Sequence, residues 1–407
     1  MRKILEGVRV LDLTRVLAGP WATQNLADLG AEVIKVERPG HGDDTRKWGP
    51  PFLRDREGRE TPDAAYYLAC NRGKKSVTLD FTQPRGRSLA HALAARSDVL
   101  VENFKVGDLA RHGLDYAALS QDNPRLVYCS ITGFGQDGPY RDRPGYDFMI
   151  QGLGGLMSVT GERDDLPGGG PQKVGVAVSD LFTGMYATSA ILASLLERER
   201  SGRGQHVDMA LLDVQVAMLA NLSSSYFVSG QAPRRMGNAH QNIVPYHVFP
   251  AADGFLIVAV GNDGQFASFC RVLGVPEWAR DERFATNPQR VRHREQMVAM
   301  ISARLATRPA HYWLAELEPA GVPCGPINDL SQVFADPQVV HRGMQVRAAH
   351  PAAGEVTMVA NPMKFSATPI THERPPPLLG EHTEEVLRGL LGLGADEIAS
   401  LKAAKAI

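Results

Sequence analysis

Asp180 stands at the head of a long run without charge. From Leu181 to Leu196 no side chain is ionisable as an acid or a base of the Lys/Arg/Asp/Glu type, and Glu197 begins a charged tail. Leu181, Phe182, Met185, Tyr186, Ile191, Leu192, Leu195 and Leu196 lie on almost every face of a helical wheel, the pattern of a buried rather than an amphipathic helix. Its first turn, with Asp180, is therefore expected to point inward. Two roles fit a carboxylate there. Ser179 or Asp180 could cap the helix by accepting a free backbone N–H, and either suffices, so one is spare. Alternatively Asp180 is held anionic by the helix N-terminus and used in chemistry.

A second group of chemical side chains is cationic. Arg15, Arg38, Arg46, Lys74, Lys75, Lys105, Arg111 and Arg143 all follow or adjoin strand-like stretches. In open α/β sheets ligands bind beyond the carboxyl ends of the strands, and arginine forks suit phosphate oxygens. Several cations at such positions point to a polyanionic ligand. The literal G-x-G-x-x-G at Gly133–Gly138 lacks the helix that a dinucleotide fingerprint opens, because Pro139 and a loop-like "YRDRPGYD" follow. There is no G-x-x-x-x-G-K-[ST] and no G-x-S-x-G. The histidines are scattered, and His240 to His247 has no metal-ligand spacing, so no metal is expected.

The elements that must carry these residues alternate. "VRVLDLT" reads as a strand, "PWATQNLADLG" as a helix, "AEVIKVE" as a strand; "SVTLDF", "PRGRSLAHALAARS", "DVLVENF" and "LVYCSIT" continue the alternation. This predicts a parallel sheet covered on both faces. Gly202 and Gly204 are placed to end the Asp180 helix. The Gly-, Pro- and Asn-rich stretch 229–254 reads as a boundary before a smaller α+β domain. The expected division is a discontinuous large domain, 1–220 and 330–407, and a small one, 230–325.

With 407 residues, 43% hydrophobic and 22% charged, the chain can build two or three cores, and a net charge of −1 provides no basic field for nucleic acid. The four cysteines contain no C-x-x-C, which fits a reducing cytoplasm rather than a disulfide framework. Glu6 and Asp12 come too early for a signal-peptide core, and no apolar run is long enough to span a bilayer. A cytoplasmic protein is expected.

Across nearly the whole chain the sequence resembles the class III (family III) CoA-transferases. The resemblance is carried by "RVLDLTRVLAGPWATQNLADLGAEVIKVERPGHGDDTR", "NRGKKSVTLD", "VENFKVGDLARHGLDY", "GFGQDGPYRDRPGYD", "SDLFTGMYATSAILASLLERERSGRGQHVDMALLD", "GVPCGPIND" and "PPPLLGEHTEEVL". It implies a large Rossmann-like α/β domain, a small inserted domain and two chains interlocked as a homodimer. It also implies that Asp180, in "SDLFTG", is the nucleophile of a CoA transfer. Attack on an acyl-CoA would give a mixed anhydride and then an aspartyl-CoA thioester, with coenzyme A as substrate and no permanently bound cofactor. CoA contacts carry over to Val16, Ala18, Arg38 (adenine), Lys75, Asn103, Phe104, Arg111 and Arg143 (near the pyrophosphate), and active-site positions to Tyr146 and Asp147.

Formyl-CoA transferase, within this family, has His and Gln where this chain has Arg15 and Leu17, and a glycine run where this chain has "GNAHQN" (Gly237–Asn242). "GDDTRKWGPPF", "GNAHQNIVPY" and "RPPPLLGEHT" instead resemble the succinyl-CoA:glutarate branch. A dicarboxylate needs a cation for its remote carboxylate. Arg46 is the first candidate and Arg15 the second, with His240 and Gln241 as polar partners. The alternative is an α-methylacyl-CoA racemase-like enzyme, which pairs the same Asp with a His. Here that position is Tyr146, a poor base at neutral pH with an ordinary pKa of about 10.

Overall fold

The computed structural model describes residues 2–407. Six strands form one parallel sheet: β1 (Arg9–Asp12), β2 (Glu32–Glu37), β3 (Lys74–Thr78), β4 (Val99–Glu102), β5 (Val127–Thr132) and β6 (His206–Ala210), in the spatial order β3-β2-β1-β4-β5-β6. This is the doubly wound order, with its reversal between β1 and β4, where Val10 pairs Val99 and Asp12 pairs Val101.

Strand periodicity explains why both faces must be covered. In β1, Val10 joins a core with Ala22, Leu26, Ala187 and Ile191, whereas Leu11 joins the opposite core with Ala90, Leu93 and Val386. Val99 and Val101 of β4 alternate with Leu100 in the same way. The covering helices are α1 (Ala18–Asp28), α2 (Pro84–Ala94), α3 (Asp147–Leu153), α4 (Val178–Ser201), α5 (Leu211–Met218) and α6 (Thr383–Leu391). Pro84 sits in the first turn of α2, where its missing N–H costs nothing. Gly202 closes α4 at φ 73°, a left-handed residue that favours glycine.

The chain divides into two compact units. One comprises Met1–Gly155, Gly175–Ala220 and Pro337–Ile407; the other comprises Leu156–Val174 and Asn221–Asp336. The expected range 1–220 is therefore interrupted, because residues 156–174 group with the second unit. That unit contains an antiparallel sheet of Tyr246–Ala251, Gly254–Ala259 and Cys324–Gly325, with a core of Phe249, Leu256, Val258, Phe266, Phe269 and Trp313. Among the described residues no single helix is long and apolar enough to cross a membrane.

The expectation for α4 needs correction. Its buried face is made of small residues, Ser179, Thr183, Gly184, Ala187, Thr188 and Ser194, with Ile191 and Leu195. A Cβ on Gly184 would lie 2.7 Å from the Ala18 carbonyl oxygen, so glycine lets α4 and α1 approach closely. The large residues point the other way: Phe182 is 48% exposed, Tyr186 49% and Leu196 60%. The helix is apolar all round, yet only its small-residue side is buried within one chain.

Candidate active site

Beyond the carboxyl ends of β1 and β4 lies a cavity of about 260 Å³ lined by Asp180 together with Arg15, Val16, Leu17, Ala18, Asn103, Phe104, Arg143, Tyr146 and Leu211, among others. A larger groove of about 620 Å³ shares Arg15, Asp44, Phe104 and Asp108 with it and adds Arg38, Lys47, Phe81 and Arg111. The two are thus adjoining parts of one surface at the topological switch point, the place where open α/β sheets bind ligands.

Asp180 does not cap its helix. The carboxylate of Asp147, at the start of α3, accepts the N–H of Ser179 at 2.8 Å and of Asp180 at 3.3 Å, and takes a third hydrogen bond from Gln151 Nε2 at 2.7 Å. The Ser179 hydroxyl donates to Gln215 Oε1 at 2.7 Å. Asp180 is left only partly exposed with its carboxylate uncommitted. Burial, and then the negative charge of Asp147, push its pKa up to about 7. A carboxylate poised there is more basic than a solvated one and pays less desolvation on attack at an electrophilic carbonyl.

The turn between β1 and α1 forms the other wall. Val16 has φ 72°, a left-handed conformation that a β-branched residue resists at about 1–3 kcal/mol. The Arg15 N–H donates to Asn103 Oδ1 at 3.0 Å and its carbonyl accepts from Asn103 Nδ2 at 2.7 Å, so β4 braces the turn. Glu102, buried at the end of β4, accepts the Phe104 N–H at 2.8 Å; burial raises its pKa to about 7. Arg15 stacks over Phe104 with Cζ 5.0 Å from the ring centre, and is 3.7 Å from Asp44. Arg143 lies over Tyr140, with its Cζ 3.8 Å from the ring centre. Arg111 pairs with Asp108.

The structure therefore gathers Arg15, Val16, Ala18, Arg38, Asn103, Phe104, Arg111, Arg143, Tyr146 and Asp180 along one surface, with Asp147 behind Asp180. Arg46 must be removed from that set. It is 3% exposed, and its guanidinium is consumed by Glu37 at 2.8 Å through Nε and Nη2, Asp63 at 2.6 Å, the Tyr67 hydroxyl at 2.6 Å and the Pro377 carbonyl at 3.2 Å. Buried and held between two carboxylates, this guanidinium is not presented to a substrate carboxylate. Lys75 also lies elsewhere: it bridges Glu32 and Glu385, each at 2.8 Å, and lines a separate depression with Arg72 and His372. His240 and Gln241 belong to the second unit, where the His240 ring packs on Tyr246 and Gln241 Nε2 donates to the Arg234 carbonyl at 2.7 Å.

Tyr66 does not line the cavity, yet it is near enough to Asp180 to feel its charge. Its phenol is pushed up to about 12 by burial and then by the nearby charge of Asp180. It sits in "AAYYLAC", a stretch with no motif and no cation to mark it. Among the described residues no group of three or more His, Cys, Asp or Glu is arranged to hold a metal ion.

A doubly wound sheet has at its switch point a poised carboxylate relieved of capping, and beside it a groove whose arginines, Arg15, Arg38 and Arg111, are interspersed with Asp44, Asp80 and Asp108; this is the site of an enzyme. The model of CoA-transferase family III matches residues 5–383, and the chain belongs to that family and is a CoA-transferase. It is 53% identical over 386 residues to a protein of Agrobacterium fabrum named succinate–glutarate CoA-transferase, covering 95% of each chain. It is 44% identical over 389 residues to human succinyl-CoA:glutarate CoA-transferase, covering 96% of this chain and 86% of that one. Among solved structures, a CAIB/BAIF family protein from Brucella suis superposes with a TM-score of 0.84 at 49% identity, over 96% of this chain and 100% of the other.

Proposed function

We propose that the protein moves coenzyme A from succinyl-CoA to glutarate, or to a dicarboxylate of similar length, through an aspartyl-CoA thioester on Asp180. The observation that carries this reading is the division of labour at the head of α4. Asp147 caps the helix and Asp180, uncapped, faces the cavity with its basicity raised.

The steps follow from that carboxylate. Asp180 attacks the thioester carbonyl of succinyl-CoA; the C–S bond breaks, leaving a succinyl–Asp180 anhydride and CoA thiolate. The thiolate attacks the Asp180 carbonyl of the anhydride and releases succinate, giving the aspartyl-CoA thioester. The acceptor carboxylate attacks that thioester and expels thiolate. Attack by the thiolate on the acceptor's carbonyl then regenerates Asp180 and forms the new acyl-CoA. In the proposed pose the larger groove takes the nucleotide, with Arg38 and Arg111 as its cations, and the thioester reaches Asp180 past Phe104 and Val16. Arg15 is the proposed anchor for the remote carboxylate of the dicarboxylate. It lines both parts of the surface, and its contact with Asp44 at 3.7 Å is half-exposed and therefore weak.

The same proposal includes self-association. The stripe Phe182, Met185, Tyr186 and Leu196 on α4 exposes more large apolar surface than an isolated helix face can leave in water without cost, and two chains meeting through such stripes would cover it.

The test is turnover of succinyl-CoA with a panel of free acids, followed by peptide mass analysis after trapping with hydroxylamine. Glutaryl-CoA formation with modification at Asp180, both lost in Asp180→Asn, is expected. Unchanged turnover in Asp180→Asn would rule the mechanism out.

A further inference from the structure

We propose that Asp43 is a positioning residue for the transfer reaction: its Oδ1 holds the Val16 N–H and so fixes the strained turn that walls the Asp180 cavity. This rests on the reading of that cavity as the reaction site.

The turn from Thr14 to Val16 has every backbone polar group tied by a side chain. The Thr14 N–H donates to Asp12 Oδ1 at 2.9 Å, and the Thr14 carbonyl accepts from Lys35 Nζ at 2.9 Å. Asn103 holds both groups of Arg15. The Val16 N–H reaches Asp43 Oδ1 at 3.3 Å, and the Val16 carbonyl lies 3.6 Å from Cys70 Sγ, a weak S–H donor. Left-handed valine persists only where its surroundings over-determine it. Of these tethers, Asp43 alone holds the N–H of the left-handed residue itself.

Asp43 is built for the task. It is 1% exposed, and its own N–H is anchored on Glu37 Oε2 at 2.9 Å. Oδ1 also accepts the Thr45 N–H at 3.0 Å and the Thr45 hydroxyl at 2.8 Å, while Oδ2 takes Lys35 Nζ at 2.8 Å. Lys35 thus grips the turn twice, at the Thr14 carbonyl and through Asp43. Stability alone does not require this arrangement, since a packed apolar pair commonly serves as well as a buried ion pair. What an apolar pair cannot supply is an acceptor atom at a fixed point beneath Val16.

The experiment separates acceptor from charge. Lys35→Met with Asp43→Asn removes both charges and keeps Oδ1; Lys35→Met with Asp43→Leu removes the acceptor as well. Both arms also lose the Lys35 hold on the Thr14 carbonyl, so the comparison is between them: at matched Tm, the Leu protein is expected to have a kcat about 10-fold or more below that of the Asn protein, because misplacement by an ångström at a reacting centre costs up to about a hundredfold. KM for the acyl-CoA should move alike in the two arms, because Lys35 and Asp43 both line the groove that takes the nucleotide and both are changed in each, so the loss of the acceptor is read in kcat. If the Leu protein does not fold, Asp43→Ser in the same background supplies the missing-acceptor arm, its hydroxyl being one bond shorter. Equal kcat in the two arms, or an Asn arm as impaired as the other in a folded protein, overturns the role of Asp43. Asp180→Asn is run beside them: if it stays active, the reading of the cavity falls instead.

Discussion

The backbone N–H of Asp180 lies 3.3 Å from the carboxylate of Asp147, and that carboxylate also takes the Ser179 N–H at 2.8 Å. One acid therefore spends its charge on the free N–H groups of α4, and the neighbouring acid is excused from capping. The cost falls on Asp180, which is buried beside a second negative charge and titrates near 7 rather than near 4. An isolated carboxylate at a helix N-terminus would be held low by the dipole. Here burial and the Asp147 charge outweigh that field.

The pH profile should report this pairing. The attacking form is the carboxylate, so kcat/KM for succinyl-CoA is expected to fall about tenfold per pH unit below about pH 7. Asp147→Asn keeps an acceptor oxygen for the cap and removes the neighbouring charge, so the acid limb should move to lower pH. Glu102 also titrates near 7, so Glu102→Gln is the control, and it should leave the limb in place. A limb that stays put in Asp147→Asn while Asp180→Asn is dead would assign it to another group.

The same shift has a stability consequence of opposite sense from a salt-bridged acid. Asp180 is near 7 when folded and near the ordinary carboxyl value of 3.8 when unfolded, so the folded state binds the extra proton between them. Stability contributed by this site is complete below about pH 4 and is lost as pH rises through about 7. Asp180→Asn should therefore raise Tm by a few degrees at pH 8 and leave it unchanged at pH 4, as differential scanning calorimetry would show.

Arg15 and Arg46 separate cleanly on substrate. Arg15→Gln should raise KM for glutarate by about 10- to 100-fold, the range of one charge-assisted contact, with little effect on a monocarboxylate acceptor. Arg46→Met should instead act on the fold. It strands Glu37 and Asp63 without their buried counter-charge, at a cost of about 3–5 kcal/mol, seen as a lower urea midpoint. Protein that remains folded should keep its KM for glutarate. A selective rise in that KM for Arg46→Met would reverse the assignment made from its burial.

These two arginines also mark how far the sequence can be read. The period-two alternation in "VRVLDLT" and "DVLVENF" and the helices between them foretell the parallel sheet, and the switch point follows from its order. The cations after the strands are visible too. Whether a cation is free or already paired is not, because the partners of Arg46 lie 9 and 17 residues away and meet it only in the fold. Lys75 fails for the same reason, through Glu32 and Glu385. Asp180 stood out as one of two possible caps, but the true cap, Asp147, comes from another helix 33 residues earlier. Apolarity on every face of α4 was legible; which face a single chain covers was set by the small residues that let α1 approach.

The uncovered face of α4 yields the last prediction. Phe182, Met185, Tyr186, Ser189 and Leu196 fall at helical spacing on the side away from α1, and all are exposed. In the second unit Phe227 is 79% exposed and Val228 90%. Stripes of this kind on a family-III chain are expected to be buried by a second copy, so the native protein should run as a dimer by light scattering at micromolar concentration. Met185→Glu with Leu196→Glu places two charges on that stripe at positions outside the cavity lining, where burying either without a partner costs several kcal/mol. The double variant should be monomeric or aggregate, with loss of the dimer peak. A native protein that remains monomeric as its concentration is raised to the millimolar range would mean that the stripe serves something other than self-association.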